Sequence, residues 1–113
     1  MKIINKNNNA IIAEEVIVAK TILTRLKGLL GRKELRKNEA LLLSPCNSIH
    51  TFFMRFPIDV LFLDRNNKIV KILSSFAPFR LSGIYFKAFS ALELPAGAAK
   101  NSSTRENDII QVI

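Results

Sequence analysis

Residues 58–64, IDVLFLD, constrain the fold more than any other stretch. In extended chain, Ile58, Val60 and Phe62 point one way and Asp59, Leu61 and Leu63 the other. Both faces are apolar, so an internal strand covered on both sides is expected. Asp59 is the one polar intruder. A carboxylate there has to be hydrogen-bonded, ion-paired or protonated, because an unpaired buried charge costs several kcal/mol. Arg55 is its nearest candidate partner along the chain, with Arg25 and Arg32 further off. Pro57 precedes the strand and restricts Phe56 to extended backbone.

Around this strand the pattern reads mainly as β. Residues 2–4 and 11–19 suit strands, separated by the turn-prone Asn7-Asn8-Asn9. From Lys20 the period changes. Ile22, Leu23, Leu26, Leu29 and Leu30 fall on one helical face, with Thr21 as N-cap and Gly31 as stop, predicting a short helix near 20–30. Further strands are expected at 40–43, 69–73, 88–94 and 108–113, with 47–55 extended and Asp64–Lys68 a hairpin loop. Residues 74–87 carry no period and read as irregular. The pattern points to a sandwich or partly closed barrel of about seven or eight strands, mainly β within an α+β class.

At 113 residues the chain suits one domain, 1–113. With 49% hydrophobic and 23% charged residues, it should fold around an ordinary core. A lone cysteine, Cys46, excludes an internal disulfide and fits a reducing compartment. No apolar run approaches the ~20 residues of a membrane span, and the first residues hold no signal-peptide core, so a cytoplasmic protein is expected. The formal net charge is +8, from 17 basic and 9 acidic residues, which steers anions towards the surface.

Three separated stretches, GLLGR at 28–32, LLLSPCNSIHTFFMRFPIDVLFLD at 41–64 and LELPAG at 92–97, resemble the family called domain of unknown function 192. The resemblance runs over roughly residues 10–113 and implies a β-rich, jelly-roll-like domain without an assigned activity. Where the family often has glycine, this chain has Asn38, and where it has a Gly-Asp pair, Asn107-Asp108. Asparagine tolerates left-handed backbone best among residues with a side chain, so both positions are expected to remain turns.

The candidate chemistry gathers at 46–59. The leading reading is a small binding or accessory domain in which His50, Arg55 and Asp59, with Arg25 and Arg32, meet a small polar or anionic ligand or an acidic peptide. His50 and Arg55 have opposite parity on a regular strand, so a shared site needs a bend near Phe53 to Pro57. A second reading makes Cys46 or Ser48 a hydrolytic nucleophile activated by His50. A third uses the basic aromatic segment 76–89, with Phe76, Phe79, Tyr85, Phe86 and Phe89 beside Arg80 and Lys87, to bind nucleic acid. One histidine and one cysteine give no ordinary metal-ligand set, and no cofactor is implied.

Overall fold

The computed structural model describes residues 1–19, 35–52 and 54–113. Among them the chain forms eight strands and one short helix: β1 Ile3–Asn5, β2 Ile11–Ala13, β3 Glu15–Ala19, β4 Glu39–Leu43, β5 Ile58–Leu63, β6 Ile69–Phe76, β7 Ser90–Pro95, α1 Ala98–Asn101 and β8 Ile110–Val112. The fold is therefore mainly β. The helix expected near 20–30, with Arg25 and Arg32, lies outside the described residues. None of the described helices is long and apolar enough to cross a membrane.

The strands make two sheets, ordered β2-β1-β8 and β3-β4-β7-β5-β6, and neither closes into a barrel. Only β3 and β4 run parallel; every other pair is antiparallel. One core lies between the sheets. It joins Ile3, Ile12, Ala13 and Ile110 of the smaller sheet to Ala40, Leu61, Leu63, Ile69, Leu92 and Leu94 of the larger. A second core covers the outer face of the larger sheet with Leu41, Leu43, Ile58, Val60, Phe62 and Ala91, over which Leu35, Ile49 and Met54 pack. The parity expected of β5 is thus realised: Leu61 and Leu63 enter one core, and Ile58, Val60 and Phe62 the other. All six of its residues are buried.

Three stretches differ from the sequence reading. The stretch 11–19 is two strands in different sheets, because the Asn38 carbonyl accepts both the Glu14 and Glu15 amides and turns the chain between them. Asn38 itself has φ 73° and Asn107 φ 76°, the left-handed backbone expected at both asparagines. Strand β6 runs on to Phe76, past a bulge at which Ile58 pairs with Phe76 and Val60 with Leu73. Ser75, at φ 48°, is the kinked residue of that bulge. Finally, the described residues of 47–55 form a loop with a single bridge, His50 to Leu81.

Candidate functional site

Two loops, 46–56 and 77–89, lie over the outer face of the larger sheet, where Ile49, Met54, Phe56 and Tyr85 join its core. They are tied to each other by buried hydroxyls that take the place of a strand ladder. The Thr51 amide donates to the Arg80 carbonyl at 2.9 Å, and the Phe79 amide to the Thr51 carbonyl at 2.9 Å. The Thr51 hydroxyl donates to the Ala77 carbonyl at 2.7 Å and accepts the Arg80 amide at 3.0 Å. Ser82 repeats the arrangement one step along. Its amide donates to the Ile49 carbonyl, and its Oγ accepts the Ile49 amide, both at 2.9 Å.

This pinning sorts the second loop into inward and outward residues. Ser82 is buried, and the Tyr85 ring packs on Phe62 with centroids 4.6 Å apart. Between and beside them, Phe79, Leu81, Ile84 and Phe86 are 65, 68, 58 and 87% exposed. On the first loop His50 is exposed and stacks on Phe52, centroids 5.4 Å apart and planes 23° from parallel. Arg55, Arg80 and Lys87 are exposed on the same pair of loops. The surface is consequently cationic and apolar together.

Asp59 does not face this surface. It shares the β5 face of Leu61 and Leu63 and is 1% exposed. Its Oδ1 accepts the Ser75 amide at 2.8 Å, while Oδ2 accepts the Gly97 and Ala99 amides at 3.1 and 3.0 Å. The carboxylate therefore holds the β6 bulge and the start of α1 with one group. Its partners are backbone donors and not Arg55, the neighbour suggested by sequence proximity. Asp59 and His50 thus belong to opposite sides of the larger sheet. Arg25, Arg32 and Phe53 fall outside the described residues.

The nucleophile candidates are engaged locally. The Cys46 thiol donates to the Ser48 carbonyl at 3.1 Å, and the Ser48 hydroxyl lies 3.2 Å from Ser82 Oγ. His50 stands on Phe52.

One titratable residue escaped the sequence reading. Glu93 on β7 is paired across strands with Leu41 and Val60, on the core face that carries Ala91. It is 5% exposed, and burial pushes its carboxyl up from an ordinary 4.5 to about 7. Among the described residues no hydrogen-bond donor reaches it. The signal was available: in LELPAG a glutamate stands between two leucines of a strand.

A protein of unknown function from Novosphingobium aromaticivorans superimposes with a TM-score of 0.83 at 17% identity, covering 98% of this chain and 82% of that one. A candidate transcription regulator from Sinorhizobium meliloti superimposes with a TM-score of 0.78 at 20% identity, covering 97% of this chain and 89% of that one. At such identities the likeness concerns the fold alone. No curated protein matches the chain. The sequence profile of DUF192, the domain of unknown function described as an uncharacterized ACR, matches residues 3–112, and the chain belongs to that family.

Proposed function

We propose that the chain is a non-enzymatic binding domain that recognises an anionic partner with the outer surface of the loop pair. The observation that supports it is the exposure of His50, Arg55, Arg80 and Lys87 on loops fastened from beneath by Thr51 and Ser82. Cations held on an ordered backbone lose less freedom on contact than cations on a loose one, so more of their attraction survives as affinity. A second reading, single-stranded nucleic acid, draws support from exposed Phe79 and Phe86 beside Arg80 and Lys87.

A fluorescently labelled polyphosphate chain, followed by anisotropy, tests the charge reading. Replacing Arg55, Arg80 and Lys87 together by alanine is expected to weaken binding at least about tenfold and to flatten its salt dependence. Lys2→Ala with Lys6→Ala, beside and at the end of β1 in the smaller sheet, should change it by less than about twofold. Equal losses in the two sets would reduce the effect to net charge and sink the reading. An oligonucleotide that binds far more tightly than polyphosphate would favour the second.

His50→Ala should weaken polyphosphate binding while the melting temperature stays within a few degrees of the parent. Its ring is exposed, and the bridge to Leu81 is made by main chain, which the substitution keeps. A clear fall in melting temperature with binding intact would make the histidine a structural residue.

A further inference from the structure

We propose that the 79–87 loop docks on an anionic lipid bilayer, with Phe79, Leu81, Ile84 and Phe86 entering the interface and Arg80 and Lys87 meeting lipid phosphates; this names the partner of the anionic-binding reading above and rests on it. The geometry comes first. Tyr85 and Ser82 turn inward as anchors, and Leu81, Ile84 and Phe86 beside them stay exposed. With Phe79, four large apolar side chains, each more than half exposed, lie along one stretch of chain. Single exposed apolar residues need no explanation, whereas a group of four within eight residues does.

Strain points the same way. Phe79 has φ 60°, a left-handed conformation that opposes a bulky side chain, and it is held there by the hydrogen bond its amide donates to the Thr51 carbonyl. A strained residue in a protein core is offset by the burial it gains. Phe79 gains little, since its ring stays 65% exposed.

The shape and the charge together select the partner. Peptide partners are usually gripped in recesses that enclose an anchor. Here each apolar group is more than half exposed, and groups so open to solvent are buried best by a medium that deforms around them. The headgroup boundary of a bilayer does so, accepting aromatic and aliphatic tips while its phosphates take the flanking cations. Arg80 and Lys87 are the flanking cations, on a chain of net charge +8.

Co-sedimentation with vesicles provides the test, using phosphatidylcholine alone and phosphatidylcholine mixed with phosphatidylglycerol. The wild-type chain should sediment with the mixed vesicles and lose that association as salt is raised. Ile84→Ser with Phe86→Ser should lower the partition coefficient at least about tenfold and leave thermal unfolding unchanged. Phe79→Gly should also bind less, yet melt higher, because glycine relieves the left-handed backbone. The chain has no tryptophan, so Phe86→Trp supplies a clean reporter whose emission should shift to the blue on mixed vesicles.

No sedimentation with mixed vesicles at low salt would overturn the proposal. So would binding that ignores the Ile84→Ser and Phe86→Ser pair, or a tryptophan whose emission stays unshifted on saturated vesicles. If vesicles fail but polyphosphate binding still depends on Arg55, Arg80 and Lys87, the lipid partner falls and the anionic-binding reading stands. If both fail, both fall.

Discussion

Asp59→Ala is expected to cost about 3–5 kcal/mol and to lower the melting temperature by roughly 10–20 °C. The substitution leaves the Ser75, Gly97 and Ala99 amides without their acceptor, the Ala99 amide in the buried interior and the other two at partly buried positions. A fully buried donor so stranded costs about 1–3 kcal/mol and a partly buried one less, and acceptance by a charged oxygen makes the original bonds stronger than average. Asp59→Asn keeps one acceptor oxygen and sets a donor against the remaining amides, so an intermediate loss is expected. Denaturant melts of the three proteins decide the matter. An alanine variant as stable as the parent would mean that the three amides find other acceptors, and that Asp59 does not fasten β6 to α1.

The second large effect is expected at Glu93, with the opposite sign. Its carboxyl is raised to about 7 in the folded chain, against an ordinary 4.5. Below pH 4.5 both folded and unfolded chains hold the proton, and the group is neutral in its effect. Between 4.5 and 7 the unfolded chain releases the proton while the folded chain keeps it, so stability falls as pH rises. Above 7 both are ionised and the folded chain carries a constant penalty of about 3 kcal/mol. Glu93→Gln removes the titration while preserving shape. It should melt close to the parent near pH 4 and roughly 10 °C above it at pH 8. A difference that is the same at both pH values would clear Glu93 of responsibility for the pH dependence. Comparing the two proteins at each pH cancels the contribution of the other carboxylates.

Much of the scaffold is legible in the sequence where one residue type answers to one local demand. The double-faced apolar pattern of β5 and the two asparagines at positive φ are of that kind. Asp59 was recognisable as a buried carboxylate in need of partners. Which partners it has was not, since they are backbone amides 16, 38 and 40 residues away. The same distance hid the split of 11–19, which depends on the carbonyl of Asn38. It also hid the loop nature of 47–55, where the Ile49 and Thr51 amides are answered by the Ser82 hydroxyl and the Arg80 carbonyl.

The candidate surface was half visible. His50, Arg55 and the aromatic 76–89 segment could be picked out singly, by residue type. Their common loop pair could not, because no period runs through 77–89. The outward set of Phe79, Leu81, Ile84 and Phe86 becomes readable only once Ser82 and Tyr85 are known to point inward.

The pairing of β1 with β8, Ile3 opposite Val112, has a consequence for synthesis on the ribosome. The smaller sheet cannot be completed before residue 112 has left the exit tunnel. Until then Ile3, Leu61, Leu63 and Leu92, which share the core that Ile110 closes, lack one wall. The nascent chain therefore carries a sticky, half-built interior throughout the synthesis of the residues that separate β1 from β8. It has reason to meet a chaperone before it meets any partner.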